Sequence, residues 1–288
     1  MDWVAERLGR PDVLLLDPRL RMRYLQGHLP GAVSVPLPQA LGPDGALLAP
    51  EALAAWLGAA GLGDAVTPVI YDGYDGQRGA MLAWVLEYLG RDDVRLMDAY
   101  YDTWRAAGRP VQYRAADPQP ARFTVRLNPA IRADVDAVVA LSPTLSQGER
   151  EFRRPSPSGR GRDAPVSPRP GGEGILLDVR SQEEYAGKPD LDARPGHIPG
   201  ARHLDWRALA GPSKEGSYLA PRAELQAALA ARGIAPGQPV VAYCRAGPRA
   251  ALGYLALQQL GHPVRLFDGS YAAWAAAGLP VEAGAPDG

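Results

Sequence analysis

Cys244 is the only cysteine among 288 residues, and its neighbours are of the kind that activate a thiol. It follows the apolar run Val240-Val241-Ala242-Tyr243, which predicts a buried strand. It precedes Arg245-Ala246-Gly247-Pro248-Arg249 and a helical run from Ala250 to Leu255. The thiol is therefore expected at a strand end, in a short loop, at the start of a helix. The N–H groups of a helix's first turn lack partners within the helix, and the helix dipole favours an anion there. Arg245 and Arg249 add positive charge nearby. Together these effects favour the thiolate, the nucleophilic form. The alternative is an inert core cysteine, and the arginine pair and Gly-Pro turn weigh against it. The catalytic reading needs a thiol that a donor can reach.

The elements that must hold this loop occur twice. Leu14-Leu15-Leu16-Asp17-Pro18-Arg19 resembles Ile175-Leu176-Leu177-Asp178-Val179-Arg180. Gly27-His28-Leu29-Pro30-Gly31-Ala32 matches Gly196-His197-Ile198-Pro199-Gly200-Ala201, and Val69-Ile70-Tyr71-Asp72 matches Val241-Ala242-Tyr243-Cys244. The stretch Asp98 to Val111, with Trp104, Gly108 and Pro110, matches Asp268 to Val281, with Trp274, Gly278 and Pro280. Blocks in one order, this far apart, indicate a duplicated domain rather than a short-period solenoid. The first copy should have strands at Val13–Leu16, Val33–Val35, Val69–Tyr71 and Arg95–Met97, with helices from Pro50, over Ala80–Leu89 and over Tyr101–Ala107. The second should have strands at Ile175, near Ala201, at Val240–Tyr243 and at Val264–Phe267, with helices over Pro221–Arg232 and Ala250–Leu260. Alternation of this kind predicts an α/β fold: two tandem domains, each a mostly parallel sheet with helices on both faces.

Composition narrows the function. Thirty-one basic residues stand against 32 acidic, a net charge of −1. That gives no electrostatic case for nucleic acid or an anionic membrane. No apolar run is long enough to span a bilayer, and the polar start Met1-Asp2-Trp3 does not read as a signal peptide, so a cytoplasmic protein is expected. One cysteine cannot form an internal disulfide, and with four His it argues against structural zinc; neither metal nor cofactor is implied. Residues 142–174 are rich in Pro, Gly and Arg and poor in large apolar side chains, and read as a disordered insert, with a basic docking tail as the alternative. The expected domains are thus 1–116, a linking region 117–174 containing that insert, and 175–288.

Four motifs, in this order and duplicated with a cysteine in only one copy, resemble the tandem-domain rhodanese family of thiosulfate and 3-mercaptopyruvate sulfurtransferases. They are Leu177-Asp178-Val179-Arg180, the run from Arg194 to Ala201, the loop Tyr243 to Arg249, and Asp268-Gly269-Ser270-Tyr271-Ala272-Ala273-Trp274. The segment Pro120–Ala140 resembles the family's connecting arm. The resemblance implies a catalytic second domain and an inactive first one, in keeping with Asp72 in the place of Cys244. It also implies a sulfur relay. Cys244 takes the outer sulfur of a sulfane donor as a persulfide and yields it to cyanide or a thiol, with ping-pong kinetics. Backbone N–H groups of the loop, Arg245 through Arg249, would hold the anion, and Arg245 and Arg249 would bind a dianionic donor.

Basic residues after the cysteine resemble thiosulfate-type rather than mercaptopyruvate-type enzymes of that family. Glu184, near the place of a keto-acid-binding arginine, would repel a carboxylate. Pro248 has no N–H, so the cradle loses one donor. The loop runs Cys, four residues, Arg, one residue shorter than in cysteine phosphatases, which suits a sulfur atom over a phosphoryl group. A sulfur carrier with slow turnover is a third reading, prompted by the Arg-rich insert and by Pro248.

Other residues have structural alternatives. Asp178 and Arg180 could support the loop, or form a buried ion pair; Asp17 and Arg19 repeat them where no cysteine exists. His28 and His197 recur likewise and read as turn residues, and Trp104 and Trp274 as core anchors. The first copy's loop, Asp72 to Gly79, counts as two residues longer than its counterpart, and Asp72 or Arg78 could contact substrate. Two fused copies supply the contact that a dimer of single domains would make, so a monomer suffices.

Overall fold

The computed structural model describes residues 1–43, 45–73, 75–142, 174–211 and 217–284. The chain forms two compact units, Met1–Asn128 with Leu209–Pro221, and Pro129–Ala208 with Arg222–Gly288. The expected insert falls almost wholly on residues 143–173, outside the described residues.

The first unit runs α1 (Asp2–Ala5), β1 (Val13–Asp17), α2 (Arg21–Leu25), β2 (Val33–Ser34), α3 (Pro50–Ala59), β3 (Thr67–Asp72), α4 (Gln77–Tyr88), β4 (Arg95–Tyr100) and α5 (Tyr101–Ala106). Its sheet has the order β2-β1-β3-β4, and each pair is parallel. The second unit runs α6 (Val135–Leu141), β5 (Ile175–Asp178), α7 (Gln182–Tyr185), β6 (Arg202–His203), α8 (Arg222–Ala230), β7 (Val240–Tyr243), α9 (Pro248–Gln259), β8 (Val264–Leu266) and α10 (Ser270–Ala276). Its sheet repeats the order as β6-β5-β7-β8, again parallel. The expected α/β architecture with two copies is what the chain adopts.

The sequence forms these elements for local reasons. All four residues of β7 are buried, as a strand flanked on both edges and covered on both faces requires. Pro50 and Pro248 stand at the first positions of α3 and α9, where a missing N–H costs nothing. Ser181 and Glu184 close a reciprocal capping box on α7. The two tryptophans do the same work in each copy. Trp104 and Trp274 are fully buried, and their indole N–H groups donate to the carbonyls of Pro110 at 2.8 Å and Pro280 at 2.7 Å. No helix of the described residues is long and apolar enough to cross a membrane.

The compact units divide the chain at other points than composition indicates. Residues 129–142 are part of the second unit: α6 buries Val138 and Val139 in its core, and the Ala133 N–H donates to Leu266 O at 2.8 Å. Residues 209–211 and 217–221 pack in the first unit. The loop that starts at Asp72 is longer than its counterpart by one residue, not two. Five positions lead from Asp72 to α4 at Gln77, and four from Cys244 to α9 at Pro248.

Candidate active site

Cys244 caps the carboxyl end of β7, an inner strand of its sheet, where parallel sheets place their sites. The chain turns at Gly247, whose φ of +105° suits a residue without a Cβ. This turn aims the Gly247 N–H at the Cys244 sulfur, 3.1 Å away. The backbone of the loop is held from the other side by α10. Tyr271 N–H donates to Cys244 O at 2.9 Å, and Ala272 N–H to Arg245 O at 3.0 Å. The Cys244 N–H donates to Ser270 Oγ at 3.2 Å, and the Ser270 hydroxyl donates to Phe267 O at 2.8 Å. Ser270 Oγ lies 4.0 Å from Sγ. One N–H thus stabilises negative charge on sulfur, while three further bonds fix the backbone that presents it.

Cys244 is only 1 % exposed, so the open thiol that the sequence reading requires is not seen in this arrangement. The sulfur is turned beneath the loop to meet Gly247, and the exposed residues Arg245 and Ala246 lie outermost.

The two loop arginines differ from expectation in their partners. Arg249 is gripped by both oxygens of Glu184, at 2.6 and 2.7 Å. Burial opposes the charge on Glu184, but the Arg249 hydrogen bonds and the Ser181 N–H outweigh it and hold the carboxyl down at about 2. Arg245 is paired with Asp192, Nε to Oδ1 at 2.9 Å. Each guanidinium expected to meet a dianionic donor is therefore matched by a carboxylate. Glu184 is here Arg249's counter-ion rather than an isolated acidic group. Pro248 opens α9 as its first residue, which leaves Gly247 as the loop's donor to sulfur.

Asp178 and Arg180 form a fully buried pair at the end of β5, with Arg180 Nη2 to Asp178 Oδ2 at 2.7 Å. Arg180 also donates to Gly196 O at 2.7 Å and lies over the Tyr271 ring at 4.0 Å. Asp17 and Arg19 reproduce this arrangement at 2.6 Å, with Gly27 O and the Tyr101 ring as the further partners. The second pair has one extra link. Arg180 Nη1 meets Asp192 Oδ2 at 3.2 Å, so Asp192 joins Arg180 to Arg245. The imidazoles of His28 and His197 stack on Tyr24 and Tyr185 and share a hydrogen bond with those residues' carbonyls. Burial holds His197 below its ordinary value.

In the first unit the matching loop is closed. Asp72 is fully buried, and its carboxylate accepts from Gly73 N–H in the loop at 2.7 Å and from Gly79 N–H in the first turn of α4 at 2.8 Å. Burial raises it to about 6 despite those two donors. The Tyr218 ring packs on Tyr100 at 5.1 Å. Its hydroxyl would lie 2.4 Å from a Cβ added at Gly79. The Asp72 carboxylate is thus engaged by backbone N–H groups of its own unit. Arg78, in the first turn of α4, is half-buried.

Three residues of these loops escape a reading of the sequence alone. Ser270 is the most informative: the repeat aligns it with Tyr100, so a small hydroxyl faces the cysteine where the other copy has a phenol. That contrast between copies is a usable signal. Asp192 lies in a stretch without repeat counterpart, and Tyr218 is separated from Asp72 by well over a hundred residues; neither has a local signal. Among the described residues, no three His, Cys, Asp or Glu side chains converge as metal ligands.

A rhodanese-like domain profile matches residues 1–107 and 167–277. A protein of Synechococcus elongatus is 33 % identical to this chain, across 99 % of it and 84 % of its own length. The thiosulfate sulfurtransferase of Azotobacter vinelandii is 30 % identical, across 93 % and 90 %. The sulfur carrier protein TtuD of Thermus thermophilus is 28 % identical, across 98 % and 95 %. An anaerobic ergothioneine biosynthesis enzyme from Chlorobium limicola, solved with trimethyl histidine, has the same fold, with a TM-score of 0.77 at 22 % identity. The superposition covers 95 % of this chain but 64 % of that enzyme, so this chain spans just under two thirds of it.

Proposed function

The chain belongs to the rhodanese-like family, with two copies of the domain in tandem, and on that premise we propose that it moves sulfane sulfur from thiosulfate to cyanide or a thiol through Cys244. Transfer of sulfur is common to its sulfurtransferase and sulfur-carrier relatives. The choice of thiosulfate rests on the sequence of the loop, where basic residues follow the cysteine, and on the thiosulfate sulfurtransferase relative from Azotobacter vinelandii, while the carboxylate partners of both arginines set how strongly a dianion is held.

The observation that carries the reading is the Gly247 N–H aimed at Sγ, 3.1 Å away, at the end of β7. In the first half-reaction the Cys244 thiolate attacks the outer sulfur of the donor. The donor's S–S bond breaks, sulfite leaves with the bonding pair, and Cys244 carries a persulfide anion. In the second, the acceptor attacks the outer persulfide sulfur and the Cys244 thiolate departs. No net redox change or external proton is needed for the transfer from thiolate to persulfide and back, and the Gly247 N–H donates to Sγ whenever the Cys244 thiolate carries the charge. Because Sγ lies beneath the loop, this scheme requires Arg245 and Ala246 to move outward for a donor to reach it. Asp72 gives the first unit no thiol, and its role in this scheme is structural.

A sulfur-carrier role is the second reading, favoured by the Thermus thermophilus relative and by the covered sulfur. Thiocyanate formation from thiosulfate and cyanide, measured for the wild type beside Cys244→Ser, tests the proposal. Multiple turnovers abolished in the variant are expected. A single sulfur held without turnover would favour the carrier, and undiminished turnover in the variant would end the assignment.

A further inference from the structure

The two carboxylates behind the loop bear on which donors it accepts. Arg249 Nη1 and Nη2 each meet one oxygen of Glu184, and their side chains are 19 % and 13 % exposed. Glu184 is itself immobilised. Its carboxylate accepts from Ser181 N–H at 3.0 Å, and its own N–H donates to Ser181 Oγ at 3.3 Å. Asp192 is 10 % exposed and divides its oxygens between Arg180 and Arg245. Neither loop arginine therefore brings uncompensated charge to the sulfur. A bidentate guanidinium–carboxylate pair has its strongest donors already used.

A dianionic donor approaching the Cys244 thiolate meets like charge, while the nearby Arg249 has both terminal nitrogens engaged by Glu184. A monoanionic donor of the same shape meets half of that repulsion. We propose that Glu184 is a specificity-determining residue that sets selectivity by donor charge, handicapping dianions relative to monoanions by sequestering Arg249. Asp192 does the same, more weakly, through Arg245, whose side chain is 58 % exposed and screened by water. This inference rests on the sulfur-transfer reading, in which thiosulfate is a donor, and adds what sets its rate relative to a monoanion of the same shape.

Methanethiosulfonate is the matched probe. It presents the same outer sulfur as thiosulfate with one negative charge fewer. Its reaction balances in the same way: the Cys244 thiolate takes the sulfur as a persulfide anion, the S–S bond breaks, and methanesulfinate leaves with the electron pair. The experiment compares kcat/KM for thiosulfate and for methanethiosulfonate in the wild type, Glu184→Gln and Asp192→Asn, with cyanide as acceptor.

Glu184→Gln keeps the shape of the side chain and releases the charge of Arg249. The ratio of thiosulfate to methanethiosulfonate kcat/KM should rise about tenfold, mainly through KM for thiosulfate, with a smaller rise in Asp192→Asn. A merely structural role for Glu184 would lower both donors together and leave the ratio fixed, and that result overturns the inference while sulfur transfer stands. If neither donor loads Cys244 in the wild type, the sulfur-transfer reading falls and this inference with it. Where Glu184→Gln folds poorly, Asp192→Asn supplies the same ratio; its failure to raise the ratio would count equally against the proposal.

Discussion

Gly247 donates its N–H to the Cys244 sulfur from a backbone conformation with positive φ, so one residue supplies both the turn and the anion's hydrogen bond. Gly247→Ala forces a Cβ into that conformation, at a cost of about 1–3 kcal/mol. The loop should relax and withdraw the donor. We expect kcat for sulfur transfer to fall about 100-fold, the scale seen when one preorganised donor to an anion is lost. Thermal unfolding and steady-state kinetics on the same preparation check both parts.

Ser270 holds the backbone of the nucleophile through the Cys244 N–H at 3.2 Å, with Sγ farther off at 4.0 Å. Ser270→Ala leaves the buried Cys244 N–H without its acceptor, a loss of about 1–3 kcal/mol. Ser270→Thr keeps the hydroxyl but crowds a fully buried position. Transfer rate should drop in the alanine variant, and the Cys244 amide should exchange with deuterium faster than in the wild type. An unchanged exchange rate would contradict the assigned contact.

The buried pairs Asp178–Arg180 and Asp17–Arg19 are alike in geometry and differ in what they touch. Arg180→Ala and Arg19→Ala should each destabilise the protein by about 3–5 kcal/mol, because a buried carboxylate is left unpaired. Only Arg180 connects through Asp192 to Arg245. Folded Arg180→Ala protein should therefore show altered donor kinetics, and folded Arg19→Ala protein should not. Equal kinetic effects would show that the link through Asp192 carries nothing.

Acid should act on the two units in opposite senses. Asp72, near 6 in the folded chain against 3.8 for an ordinary carboxyl, binds its proton more tightly when folded. Its contribution therefore favours folding most at low pH and is lost as pH rises from 3.8 through 6. Relative to Asp72→Asn, the wild type should lose about 3 kcal/mol of stability across that window. Glu184, at about 2 against 4.5, binds its proton less tightly when folded. Its contribution is complete above 4.5 and lost as pH falls toward 2. Denaturant titrations at stepped pH for the wild type, Asp72→Asn and Glu184→Gln separate the two windows.

Much of this architecture is legible in the sequence because it is written twice. Val240 to Tyr243 forms β7 with the bounds that its unbroken apolar run indicates, whereas α9 starts at Pro248, two residues before the Ala250 that the helical run indicates. The position of Cys244 at a strand-to-helix turn follows from that local pattern. What surrounds it does not. Glu184 lies 65 residues from Arg249, and nothing local says that it spends its charge there. Composition likewise cannot show that residues 129–142 complete the second core, or that Tyr218 covers Asp72. These depend on chain-distant packing, which periodicity does not encode.

The central claim is that Cys244 receives the sulfur. Intact mass of the purified protein after brief thiosulfate treatment tests it most directly. The mass should rise by one sulfur atom, a gain reversed by cyanide and absent in Cys244→Ser. An unchanged wild-type mass, or the same gain in the serine variant, would contradict it.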